Sequence, residues 1–165
     1  MSITRRLALA SALALAACGK PKAQVAAMSP DQAKAFLDNN AKQPGVVRTK
    51  SGLEYKILRS GPTTGVHPKP ADEVKVNYEG KLTTGEVFDS SYQRGVPATM
   101  VVGGLVKGWV EALALMRPGD EWMLWVPPDL GYGDDGAGPI PPGSVLVFKL
   151  ELIAVLSDES SVGRG

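Results

Sequence analysis

From residue 46 onward, apolar and polar residues alternate with a period of two. Leu53, Tyr55 and Ile57 are separated by polar residues, and Val74, Val76 and Tyr78 stand opposite Lys75, Asn77 and Glu79. Trp122, Leu124 and Val126 form a third set, and Leu146, Phe148, Leu150 and Leu152 a fourth. Successive side chains of a strand point to opposite faces, so these runs predict half-buried strands. Short connections between them favour antiparallel pairing. Two stretches follow a helical period instead. Ala33, Phe36, Leu37 and Ala41 recur at spacings of three and four, after Ser29-Pro30-Asp31-Gln32. That tetrapeptide reads as an N-cap serine, a proline at the first helical position and a glutamine closing a capping box. Pro44-Gly45 ends this short amphipathic helix, placed within residues 29–43. In VKGWVEALALM, Val106, Trp109, Val110, Leu113 and Met116 share one face, and Arg117-Pro118-Gly119 stops the helix. One helix laid across an antiparallel sheet is an α+β arrangement. The sequence shows no internal repeats.

The same alternation sends Met123 and Trp125 to the outer face, with Val145 and Val147. If those two strands are neighbours, the outer face carries an apolar patch that something must cover. The Phe36/Leu37 stripe, of this chain or of a partner chain, is the expected cover.

The start of the chain belongs to no strand or helix of the fold. MSITRR is a short basic stretch, and Leu7–Ala17 is an apolar run too short to span a bilayer, which takes about 20 residues. Residues 1–17 therefore read as an export signal. Leu15-Ala16-Ala17-Cys18 resembles the bacterial lipobox, which implies cleavage before Cys18 and lipidation of its thiol. Ordinary cleavage after Ala17, leaving a free thiol, is the alternative; Cys18 is the chain's one cysteine. Residues 18–28 then form a flexible tether, and residues 158–165 a disordered tail.

Composition narrows the chemistry. The 165-residue chain is 44% hydrophobic and 21% charged, as soluble domains are. Its net charge is +1, and losing Arg5 and Arg6 with the signal turns it to −1. Nothing in that balance supports nucleic-acid binding or attraction to anionic lipid, so the acyl chains would do the anchoring. One histidine and one cysteine cannot build a His/Cys metal cluster or a disulfide within the chain, and no metal or cofactor is expected. His67, in GVHPKPAD, reads as part of a solvated turn.

Between MLWV and SVLVFKLEL lies GYGDDGAGPIPPG, residues 131–143, built from five glycines and three prolines yet carrying Tyr132 and Ile140. Breakers in such density mark a loop. The two larger residues either tack it to the domain or line a pocket whose floor lies elsewhere. GLEYKIL, VKVNYEGKLTTGEVFDSSYQRGVPATM, VKGWVEALALMRPGDEW and VPPDLGYGDDGAGPIPPGSVLVFKLELI, in that order, settle the preference. Together they resemble an FKBP-type peptidyl-prolyl isomerase over residues 46–157, in the exported bacterial branch related to macrophage infectivity potentiators. Four ordered motifs are far more specific than a lone glycine pattern.

The resemblance implies an FKBP-like half-wrapped antiparallel β-sheet packed on one short α-helix. It implies rotation of Xaa-Pro bonds in polypeptide substrates, without cofactor, and macrolide FKBP ligands as inhibitors. By pattern alone Trp109 is equally a core tryptophan; the family places it as the floor under the proline ring. Leu105 and Val106 follow as wall and backbone N–H donor. Asp89, otherwise a turn residue, becomes a carboxylate at the pocket edge held by Tyr78 and Arg94, with Phe88 as an apolar wall. Tyr132 becomes the loop hydroxyl that bonds a ligand carbonyl, Ile140 the lid and Phe148 the far wall. Asp89, Trp109 and Tyr132 are the expected catalytic residues. Ala98 and Met100 stand where well-known members carry aromatics, which leaves one wall more open. An FKBP-fold binding module or chaperone with little isomerase activity is the alternative.

Gly19 after the cysteine favours the periplasmic face of the outer membrane. Dimeric relatives carry a long helical N-terminal domain; the one short helix here favours a monomer.

Overall fold

The computed structural model describes residues 26–156. Cys18, the signal, most of the tether and the C-terminal tail lie outside them. Helix α1 (Pro30–Asn40) begins as its sequence dictates: Ser29 Oγ accepts from Gln32 N–H, and the Gln32 side chain accepts from Ser29 N–H at 2.8 Å. Strands β1 (Val47–Arg48), β2 (Glu54–Arg59), β3 (Glu73–Leu82) and β4 (Val87–Ser90) follow. Next come the one-turn helix α2 (Ser91–Arg94), strand β5 (Ala98–Val101), helix α3 (Lys107–Leu115), and strands β6 (Glu121–Val126) and β7 (Leu146–Leu156).

All pairings are antiparallel, in the order β1-β2-β6-β7-β3-β4, with β5 continuing along the β3 edge beyond β4. β7 runs the length of β3, from Glu73↔Leu156 to Leu82↔Leu146. This is the α+β arrangement that the alternation implied.

One face of the sheet forms the core. Val74, Val76, Leu124, Val126, Leu146, Leu150 and Leu152 are fully buried and cluster with Trp109, Ala112, Leu113 and Met116 around α3. Gly108 brings the helix close, since a Cβ there would lie 2.6 Å from Val126 Cγ1. The other face carries the apolar patch anticipated from the alternation. β6 and β7 are neighbours, and α1 of the same chain covers the Trp125 and Val145 part of the patch, while Met123 and Val147 lie half-buried outside that cluster. Ala33, Leu37 and Val145 are buried there, with Met28, Phe36 and Trp125 packed against them.

Burial fades along β2. Ile57 pairs with the buried Trp122 and so keeps the inward face, yet it is 49% exposed near the end of the strand. Glu54 instead is fully buried beside Leu53. It accepts bonds from Arg48 Nε at 2.7 Å and Asn40 Nδ2 at 2.7 Å, so its charge is paired as burial demands. His67 lies exposed in the coil before β3, as its sequence context suggested, with Nδ1 2.9 Å from the Met116 carbonyl oxygen.

Candidate active site

Where β4 leaves the β3 edge, a cavity of about 290 Å³ opens above α3. It is lined by Tyr78, Phe88, Asp89, Met100, Gly104, Leu105, Val106, Trp109, Tyr132 and Phe148. Four strands, the start of a helix and a loop thus converge on one apolar concavity with a few polar groups, the usual form of a ligand site.

Trp109, in the first turn of α3 where the helix faces the sheet, is 4% exposed. Tyr78 and Phe148 meet its ring edge to face, at 5.1 and 5.3 Å between centroids and 85° and 82° between planes. Phe88 meets Phe148 the same way at 5.6 Å. Such pairs are favourable beyond the area they bury and fix ring orientation. Gly80, between Tyr78 and Leu82 on β3, makes the arrangement possible. A Cβ there would stand 2.6 Å from Phe88 and 2.8 Å from Phe148.

The polar rim is a triangle. Tyr78 Oη donates to Asp89 Oδ2, Arg94 Nη1 donates to Asp89 Oδ1, and Arg94 Nη2 donates to Tyr78 Oη at 2.9 Å. The guanidinium also lies 5.4 Å from the Tyr78 ring centre. Partial burial pushes the Asp89 pKa up, but the bonds from Tyr78 and Arg94 outweigh it and hold the carboxyl below its ordinary value. Burial and the bond to Asp89 raise the Tyr78 phenol above its ordinary value, so it stays a donor. Arg94 reaches this triangle from α2 without lining the cavity itself.

Besides the buried Trp109 Nε1, which has no partner among the described residues, two donors at the cavity remain uncommitted. Val106 caps α3, its carbonyl accepting from Trp109 and Val110 N–H, while its own N–H bonds no acceptor among the described residues. The Tyr132 hydroxyl likewise has no partner among them, and the residue is 41% exposed. Tyr132 follows a single 3-10 turn, Pro128–Leu130, and the loop is closed beneath it by Gly143 N–H to Gly133 O at 2.9 Å.

Ile140 behaves differently from the expected lid. Paired backbone bonds with Ala137, at 2.8 and 3.0 Å, fold it into the core cluster at 6% exposure, and it does not line the cavity. Gly136 makes that fold possible, since at φ +67° a Cβ would lie 2.3 Å from Ile140 O. Met100 does line the wall, while Ala98 packs against the core.

Comparison with known families fits this geometry. A profile described as FKBP-type peptidyl-prolyl cis-trans isomerase matches residues 65–153, more than half of the chain. The chain belongs to this family. A second profile, the domain amino-terminal to FKBP-type peptidyl-prolyl isomerase, matches residues 8–57. The peptidyl-prolyl cis-trans isomerase Mip of Coxiella burnetii is 50% identical over 126 residues, covering 76% of this chain and 54% of that protein. The FKBP-type 22 kDa isomerase of Escherichia coli is 48% identical, covering 73% of this chain and 58% of that protein. The outer membrane protein MIP of Legionella longbeachae is 48% identical, covering 73% and 52% respectively. This chain therefore spans a little over half the length of these relatives. Among solved structures, FkpA from Escherichia coli superposes with a TM-score of 0.73 at 40% identity, over 76% of this chain and 58% of that one. The superposition supports the FKBP-type fold for the sheet and helix described above.

Proposed function

We propose that this chain accelerates rotation about Xaa-Pro peptide bonds in exposed polypeptide segments. The observation that carries the reading is the apolar cavity floored by Trp109, with two free donors and a charged triangle on its rim. The reaction needs no nucleophile and no proton relay. It is rotation about a partial double bond against a barrier of about 18–20 kcal/mol, with an uncatalysed time of about 10–100 s. An enzyme rate of about 1–1,000 s⁻¹ requires lowering that barrier by roughly 3–7 kcal/mol.

Trp109 receives the proline ring, with Phe148, Phe88, Tyr78, Met100 and Leu105 as walls. Leaving water for these walls disfavours the charge-separated resonance form that stiffens the amide. Val106 N–H and the Tyr132 hydroxyl donate to carbonyls flanking the ring and hold the chain on both sides of the bond. Interactions better made to the twisted amide than to the planar one supply the acceleration. Asp89 remains ionised and fixes Tyr78 and Arg94 at the cavity mouth.

The envelope is the proposed location, with Cys18 acylated at the periplasmic face of the outer membrane. The lipobox-like sequence and the relatives' names support this. Acyl labelling of the chain, lost in Cys18→Ala, tests it. Docking of α1 on its own domain supports a monomer.

The deciding experiment follows cis-to-trans conversion of a short Xaa-Pro peptide by protease-free kinetics. Faster conversion, suppressed by a macrolide FKBP ligand and weakened in Tyr132→Phe, supports the enzyme. Conversion no faster than buffer from folded protein would make the chain a binding module on an FKBP frame.

A further inference from the structure

Phe88-Asp89-Ser90-Ser91 is more than a turn. Along the outer edge of β3, β4 pairs with Glu79, Gly80 and Lys81, and β5 pairs with Glu73 through Val76. Between these two partners, Asn77 and Tyr78 have no strand beside them. Buried main-chain groups left unpaired in such a gap are costly. The side chain of Ser91 occupies it. This residue is fully buried, and its Oγ accepts from Tyr78 N–H at 2.8 Å. Its single proton is shared between Tyr78 O and Asn77 Oδ1, each at 3.3 Å. One hydroxyl thus replaces a strand partner at the residue whose side chain forms one corner of the rim triangle.

Ser91 is also the first residue of α2, the turn that carries Arg94. Its neighbour Ser90, 2% exposed, caps that turn by accepting from Gln93 N–H at 3.3 Å. The three consecutive side chains divide the work: Asp89 faces the cavity, Ser90 starts α2 and Ser91 fastens α2 to β3. The Glu79–Ser90 pairing holds the start of α2 to β3, and the Ser91 hydroxyl fixes the next residue against Tyr78. Without it, α2 and Tyr78 lose the contact that sets their spacing, and the bonds both elements make to Asp89 loosen.

We infer that Ser91 is a positioning residue for the isomerase site, acting through Tyr78 and Arg94 on the carboxylate of Asp89. The inference rests on the proposed function for its kinetic consequence, but its structural consequence can be read without activity. The charged and titratable groups facing Asp89 are Tyr78 from β3 and Arg94 from α2, with Ser90 N–H as a backbone donor and Tyr132 across the cavity.

The test compares the full chain with Ser91→Ala and with Ser91→Cys, a near-isosteric thiol that hydrogen-bonds weakly. The Asp89 carboxyl is titrated by carbon-detected NMR, and kcat/KM is measured well below the melting temperature. The expected result is an upward move of the Asp89 titration in both variants, larger in Ser91→Ala. A fall in kcat/KM on the order of tenfold should accompany it, carried mainly by kcat; a misplacement of about 1 Å can cost about 100-fold. Should Ser91→Ala not fold, Ser91→Cys alone gives the same reading in smaller measure. A lowered melting temperature with an unmoved Asp89 titration and unchanged kcat/KM would overturn the inference and leave Ser91 a structural serine. If the parent chain is inactive, the titration still decides on Ser91, so failure of the isomerase reading is seen separately.

Discussion

Arg48 holds the fully buried carboxylate of Glu54 through two nitrogens on one oxygen, Nε at 2.7 Å and Nη2 at 2.6 Å. Its third nitrogen reaches Asp38 on α1 at 2.8 Å, and Asn40 at the end of that helix donates to the other Glu54 oxygen. The pair therefore ties α1 to the strands β1 and β2. Removing one partner of a buried pair costs about 3–5 kcal/mol, because it strands the other charge. Arg48 is 36% exposed, so water relieves part of that cost. Arg48→Met should lower unfolding stability by about 2–4 kcal/mol in urea titrations. Replacing both, as Arg48→Met with Glu54→Leu, should recover most of the loss.

Gly80 makes the second prediction. Its missing side chain is the space into which Phe88 and Phe148 close. Ring atoms of aromatics wedged in a core cannot move aside freely, and overpacking costs about 1–3 kcal/mol. Gly80→Ala should therefore destabilise the fold by that amount and depress isomerase activity further than the stability loss explains. Peptide kinetics at a temperature where the variant is fully folded checks this.

The pH dependence follows from the direction of the Asp89 shift. Its folded pKa lies below the ordinary value of 3.8, so the ionised triangle and its contribution to stability are fully present above that value. Both are lost as the pH falls through the lowered folded value. Activity should accordingly be flat with respect to Asp89 from about pH 5 to 8 and decline only in acid. Asp89→Asn removes the charge at all pH values. It should reduce kcat/KM by about 10- to 100-fold, less than the roughly 100- to 1,000-fold of a fully enclosed group. Its side chain is 43% exposed, which sets that lower range. A pH–rate profile with an acid limb that persists in Asp89→Asn would refute the assignment.

How much of this was legible in the sequence depended on whether a residue's partners were local. Period-two runs in β3, β6 and β7 and the helical stripe of α3 announce themselves, because their burial follows from their own spacing. Tyr132 stood out as a tyrosine among breakers, and the family motifs gathered the remaining cavity residues. The burial of Ile57 and Glu54 was not legible: cover fades toward the end of β2 and leaves one exposed, and Arg48 and Asn40 permit burial of the other. Ile140 was expected to face the cavity, but its direction is set by the Ala137 bridge, a contact with no sequence period. The role of Ser91 had no signal in the sequence, because the gap it fills is created by β4 and β5 stopping short of each other on β3.

The covering of the outer sheet face gives the last prediction. Trp125 alternates with the fully buried Leu124 and Val126 and so points away from the main core. There Trp125 and Phe36 border the small cluster of Ala33, Leu37 and Val145. Leu37 is 9% exposed, and truncating a buried leucine costs about 2–5 kcal/mol, with the lower end fitting so small a cluster. Leu37→Ala should thus lose about 2 kcal/mol, and Trp125→Glu more, since it sets a charge against an apolar helix face. Because α1 docks within its own chain, both variants should keep the parent's mass by light scattering while α1 becomes open to proteolysis. Unchanged unfolding midpoints in both variants would show that the helix contributes nothing to the domain it covers. Stability lost together with a concentration-dependent change of mass would instead mean that the stripe serves a partner chain.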